Sequence, residues 1–207
     1  MDERPTSSAR LPYLLIAFRF LLGPTILFMA WRWGVTVRWP IVALMFLGLL
    51  SDVLDGIIAR KRSVSSVKLR RLDSQVDLFF WLSIGVASWI LHPALIASQW
   101  LLIGLLFVME AACYGVSLLR FGRETCTHAW LAKLWGICLL IAFVRIIGFG
   151  SLGWSFHLAA ITGLVSQVDV ILIILLLPKW EHDIPSAYHA YLRRKGIPFE
   201  RKRLFNG

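Results

Sequence analysis

Apolar residues run through this chain in long unbroken stretches, not in the alternation of a half-buried strand or the one-sided stripe of a surface helix. Six stretches, near residues 12–30, 40–60, 72–91, 95–119, 131–150 and 156–177, come close to the ~20 apolar residues that carry a helix across a bilayer. Short connections at 31–39, 92–94 and 151–155 alternate with longer polar ones at 61–71 and 120–130. The pattern predicts an all-α integral membrane protein of six transmembrane helices. It divides the chain into a six-helix membrane domain, residues 1–180, and a basic tail, residues 181–207. An even number of spans puts both termini on one side. No internal repeat points to a transporter built from inverted halves.

Composition agrees with that class: 58% of the 207 residues are hydrophobic and 16% charged, with a mean hydropathy of +0.71. A net charge of +10 raises nucleic acid as a partner, but the cations lie in blocks between apolar stretches, so they fit orientation in a membrane and no nucleic acid is expected. Of the 22 Lys and Arg residues, eighteen fall on the side of the termini, whereas only Arg32 and Arg38 fall opposite and Arg19 and Arg145 lie within spans. The positive-inside rule then predicts cytoplasmic termini and a multi-pass protein of the cell inner (cytoplasmic) membrane. The tail after Pro178, rich in Lys, Arg and His, is expected at the anionic lipid surface. Arg4 and Arg10 precede the first apolar run as in a secretory signal, but the run is too long and lacks a small-x-small cleavage site, so it reads as a retained span. Cys113, Cys126 and Cys138 have no metal-ligand spacing and read as packing residues.

Four acids break the apolar pattern. Asp52 and Asp55 end the second stretch, and Asp73 and Asp77 begin the third. Spacings of three and four put each pair on one helix face, at the predicted cytoplasmic side. A carboxylate near the centre of a spanning helix costs roughly 2.5–3.5 kcal/mol on insertion scales, so four clustered acids call for compensation by cations, water or metal. A divalent metal is the simplest compensation.

The order Asp52-x-x-Asp55-Gly56-x-x-Ala59-Arg60, then twelve residues, then Asp73-x-x-x-Asp77, resembles the signature of the CDP-alcohol phosphotransferases. Upstream, Pro12, Arg19 and Pro24 look like that family's first-helix pattern. Three positions depart from it: Leu69 stands where the family has glycine, and Tyr13 and Ile16 stand where polar residues are frequent. The resemblance implies that Asp52, Asp55, Asp73 and Asp77 form a metal site, with Asp77 also the base that deprotonates the acceptor hydroxyl. Gly56, Ala59 and Arg60 would contact the nucleotide. Two Mg²⁺ ions are expected, with Mn²⁺ as the substitute, because carboxylates and substrate phosphates offer all-oxygen ligation. Paired ions can clamp the attacking and leaving oxygens of a phosphoryl-type transfer. The implied reaction moves a phosphatidyl group from CDP-diacylglycerol to a small polyol or polyol phosphate and releases CMP. A homodimer in the lipid bilayer is expected from the resemblance alone.

Arg19, His128 and Lys133 are the candidates for binding the polar acceptor, Lys133 suiting a phosphorylated one such as glycerol phosphate or inositol phosphate. Glu110, Arg145 and Asp169 lie inside spans and are read equally as functional groups or as partners that fix helix packing. Asp183, Ser186 and His189 in the tail are discounted as a hydrolytic triad, since closeness in sequence does not establish triad geometry. Two other functions compete. One is CDP-choline or CDP-ethanolamine headgroup transfer to diacylglycerol. The other is a non-enzymatic cation-binding or transporting bundle, which the confinement of the acids to one side disfavours.

Overall fold

The computed structural model describes residues 10–61, 67–123, 130–181 and 184–197, and all regular structure among them is helical. The helices are α1 (Arg10–Trp33), α2 (Arg38–Lys61), α3 (Val67–Leu91), α4 (Pro93–Ala97), α5 (Trp100–Phe121), α6 (Trp130–Phe143), α7 (Gly153–Leu176) and α8 (Ala187–Arg194). A 3-10 turn, Gly34–Val37, joins α1 to α2, and a π-helical turn, Val144–Gly148, extends α6. Five stretches are long and apolar enough to cross a membrane: Leu11–Ile58, Arg71–Leu91, Trp100–Phe121, Trp130–Gly148 and Gly153–Leu176. The first, of 48 residues, contains both α1 and α2. An all-α membrane protein is therefore what the sequence folds into.

Helix ends differ from the hydropathy boundaries for definable reasons. α3 begins at Val67, inside the expected loop 61–71, because polar residues extend a helix that the apolar pattern marks only from residue 72. The fourth long helix begins at Trp100 and not near 95. Pro93 opens the separate five-residue helix α4, where its missing N–H costs nothing, and the chain turns at Ser98 and Gln99.

The described residues form two compact units. The first holds residues through Ala97 and Phe143–Ser151; the second holds Ser98–Ala142 and residues from Leu152 onward.

In the first unit α1 packs along both α2 and α3. Its buried stripe is Pro12, Ile16, Arg19, Leu22, Ile26 and Ala30, the three-and-four spacing of one helix face. Ile41 and Met45 continue the core on α2, and Leu69, Val76, Phe80, Ile84, Ala87 and Leu91 on α3. Lipid is as apolar as these side chains, so close contact and not water exclusion holds such helices together. Two glycines permit it. A Cβ on Gly48 would overlap the Phe80 ring, and one on Gly23 would lie 2.8 Å from both Phe79 Cε1 and Ser83 Oγ.

In the second unit α5 packs on α7, and Cys138 and Ala142 of α6 pack on Ala159 of α7. Cys113 and Cys138 are buried free thiols, as packing residues should be; Cys126 lies outside the described residues. α8 docks on the end of α7 through Ile173, Leu177, Ile184 and Ala190. Within the expected tail, then, a helix is held by apolar contact.

Candidate active site

The same faces that build the core of the first unit carry its polar cluster. On α2 the stripe of Ile41, Met45 and Gly48 continues at helical spacing to Asp52 and Asp55, and on α3 the stripe of Phe80 runs back to Asp77 and Asp73. Partner residues along α1 and α3 rise together, Ile16 meeting Leu69 and Val76, Arg19 meeting Asp73 and Asp77, and Gly23 approaching Phe79 and Ser83, so these helices run parallel. The acids interrupt a mostly apolar seam, with Ile16 and Leu69 on one side of them and Gly23, Phe79 and Ser83 on the other.

Arg19 fills the space between them. Its side chain is fully buried, and its two terminal nitrogens each join one acid of α2 to one acid of α3. Nη1 pairs with Asp52 and, at 2.7 Å, with Asp77; Nη2 pairs with Asp73 and, at 2.9 Å, with Asp55. Asp55 is buried, whereas the Asp52, Asp73 and Asp77 side chains are 36%, 24% and 33% exposed, which leaves three of the four carboxylates open to an incoming ion or substrate.

Asp52, Asp55 and Asp73 each offer a carboxylate oxygen, and these atoms lie within 4.8 Å of one another. An all-oxygen set of this charge fits a hard divalent cation, and the guanidinium already shows the site accepting positive charge. Gly56 follows Asp55 on α2 and is partly buried. Ala59 and Arg60 lie in the last turns of α2, with side chains outside the description. His128 also lies outside the described residues. Lys133 stands in the first turn of α6, in the second unit, and is exposed.

The model of the CDP-alcohol phosphatidyltransferases matches residues 9–178, a range that takes in α1 through α7. The chain belongs to this family. Family membership gives the reaction class, phosphatidyl transfer from a CDP-alcohol to an alcohol acceptor in a membrane, in enzymes that depend on divalent metal. No curated protein and no solved structure gives a significant match.

Against the family pattern, the three departures gather in one place. Ile16, Leu69 and Val76 form a buried cluster with Tyr13 packed against it. Tyr13 and Ile16 lie towards the N-terminus of α1 from Arg19, and Leu69 lies one turn before Asp73 on α3. The acid cluster is thereby bordered on that side by an apolar layer.

The intramembrane charges of the second unit behave differently. Gln167 Nε2 donates to Glu110 Oε2 at 3.1 Å and to the Leu106 carbonyl at 3.0 Å. Asp169 Oδ1 accepts the Ala187 N–H at 2.9 Å, so it caps α8 at its positive end. Arg145 belongs to the first unit and lies on the π-helical turn. In the tail, Ser186 Oγ lies 2.9 Å from His189 Nδ1 and flanks the start of α8; Asp183 is outside the described residues. The hub role of Arg19 is what sequence reasoning missed. The sequence signal is a lone arginine between Pro12 and Pro24 in an apolar run; that it lies on the buried face with Ile16, Ile26 and Ala30 is seen in the structure.

Proposed function

We propose that this protein is a phosphatidyltransferase that couples CDP-diacylglycerol to a small polyol or polyol phosphate and releases CMP, in phospholipid synthesis. The observation that carries the reading is the convergence of Asp52, Asp55, Asp73 and Asp77 from two helices onto one cation, in a chain of this family. Four carboxylates within reach of one guanidinium offer more negative charge than Arg19 offsets, and this supports binding of two Mg²⁺ ions there. Bound divalent metal would neutralise the diphosphate and orient the acceptor oxygen.

The residues divide the remaining work. Asp77, partly open to its surroundings, takes the proton of the acceptor hydroxyl. The hydroxyl oxygen bonds to the phosphorus that carries the diacylglycerol, the bond from that phosphorus to the CMP oxygen breaks, and CMP leaves. Gly56, Ala59 and Arg60 follow the first acid pair on α2 and contact the nucleotide. His128 and Lys133 are assigned to the acceptor.

Six spans follow if α1 and α2 each cross. Each has 24 residues, about 36 Å of helix, and the turn between them is four residues long. The cation blocks then put both termini and the acids at the cytoplasmic face of the inner membrane, where an acylated donor and a water-soluble acceptor meet. A homodimer is the expected assembly.

The test is CMP release by purified protein from CDP-diacylglycerol and from CDP-choline, each offered a panel of acceptors including glycerol phosphate, inositol phosphate and diacylglycerol. Turnover with CDP-diacylglycerol and one hydroxylated acceptor is expected. Turnover with CDP-choline alone would reverse the donor assignment, and Mg²⁺ movement across liposomes without CMP release would favour a transport bundle.

A further inference from the structure

Arg19 has no ordinary reason to lie where it does. A guanidinium built permanently into a protein interior satisfies all five of its N–H donors, because a buried unmet donor costs free energy. Here Nη1 and Nη2 are committed to four carboxylates, while Nε is buried with no hydrogen-bond partner among the described residues. The charges do not balance either. Among the described contacts one guanidinium meets four acids, which on two helices repel one another as they ionise. The fit is good enough to hold the cluster together and poor enough to be given up.

Geometry adds a second point. Arg19 bridges crosswise, Nη1 linking Asp52 to Asp77 and Nη2 linking Asp55 to Asp73, so α2 and α3 are joined through a side chain of α1 at this level. The three carboxylate oxygens that come within 4.8 Å of one another belong to acids that Arg19 contacts. Metal and guanidinium therefore call on the same carboxylates.

We propose that Arg19 is an exchangeable counter-ion: it holds the acid pairs of α2 and α3 in register while the site lacks metal, and it yields their oxygens when divalent ions enter. The proposal rests on the reading of these acids as the metal site. It makes Arg19 a positioning residue, and it separates two roles that a fixed structural arginine would combine. A fixed arginine helps metal binding by preorganising the acids. A counter-ion competes with it, because a positive charge beside a dication at shared ligands is repulsive.

The full chain in detergent, stripped of metal and titrated with Mn²⁺ followed by electron paramagnetic resonance, distinguishes these. Arg19→Gln removes the charge and keeps a side chain of similar reach. Its Mn²⁺ affinity is expected to be about tenfold tighter than wild type or more, since each 1.4 kcal/mol of lost repulsion is tenfold. In EDTA its Tm is expected to fall by about 10 °C, and added Mg²⁺ to restore most of that, because four unpaired acids are then compensated by metal alone. Arg19→Lys keeps the charge but presents one point cation to four acids, and its affinity should fall between the two. If Arg19→Gln folds only with Mg²⁺ present, that dependence itself supports the exchange. If it does not fold even then, Arg19→Lys decides, and an affinity no tighter than wild type overturns the proposal. Unchanged or weaker Mn²⁺ binding by Arg19→Gln, with wild type binding normally, overturns the counter-ion role and leaves the metal site standing. Absence of Mn²⁺ binding by wild type overturns both.

Discussion

Charged residues lie within long apolar helices in both units of this protein, and the two units partner them in opposite ways. In the first, Asp52, Asp55, Asp73 and Asp77 converge on Arg19, four acids sharing one guanidinium. In the second, Glu110 and Asp169 each meet a neutral group, the Gln167 amide and the Ala187 N–H, one acid to one partner. A charge placed in an apolar helix for packing needs only enough hydrogen bonding to be tolerated. Gathering four like charges exceeds the need of packing, and the excess supports the proposal that chemistry takes place in the first unit. Intramembrane charge is thus informative when it is concentrated and weakly informative when it is dispersed.

The strongest way to break this contrast is to remove one charge from the concentrated set while keeping its shape. Asp52→Asn retains an oxygen and the side-chain volume but loses a ligand that metal and Arg19 share. CMP release is expected to drop about a thousandfold, as several kcal/mol of charge stabilisation in the transition state are lost. Initial rates at saturating CDP-diacylglycerol check it. A drop of less than tenfold would mean that the cluster is a structural ion network and that concentration of charge has misled.

Next in size is the apolar layer beside the acids. Leu69→Ala opens a cavity among Ile16, Val76 and Tyr13 and is expected to cost about 2–5 kcal/mol by denaturant unfolding in detergent. Leu69→Ala with Ile16→Ala should cost less than the sum, since the two share one contact, with a coupling of roughly 0.5–3 kcal/mol. Additive losses would show that the two positions do not act as one packed layer.

These sites were legible in the sequence to different depths, and the reason is physical in each case. The long helices are readable because crossing a bilayer imposes a length that few other constraints impose. The acid pairs are readable because three-and-four spacing puts them on one face. Arg19 was visible in the first-helix pattern and as an acceptor-binding candidate, but its contact with all four acids was not, since the helix is apolar on every face and only its packing shows which side is buried. The partners of Glu110 and Asp169 were not legible. A glutamine amide and a backbone N–H leave no charge pattern, and nothing local pairs position 110 with 167 or 169 with 187. Helix α4 escaped because five residues have no periodicity to read, although Pro93 announced its start.

The smallest expected effect is the most useful control, because it applies the same chemical change to the dispersed charge. Glu110→Gln, like Asp52→Asn, converts a carboxylate to an amide of the same shape. The new amide oxygen can still accept from Gln167 Nε2, so the bond that anchors α5 to α7 survives in neutral form. Stability is expected to move by no more than about 1 kcal/mol and CMP release by no more than about threefold. Gln167→Leu, by contrast, takes the amide donor from Glu110 and should cost about 1–3 kcal/mol with little change in turnover per folded molecule. Should Glu110→Gln abolish CMP release in a protein whose unfolding is unchanged, a single paired acid would carry function as fully as the four. Charge concentration would then lose its value as a guide to the active half of the chain.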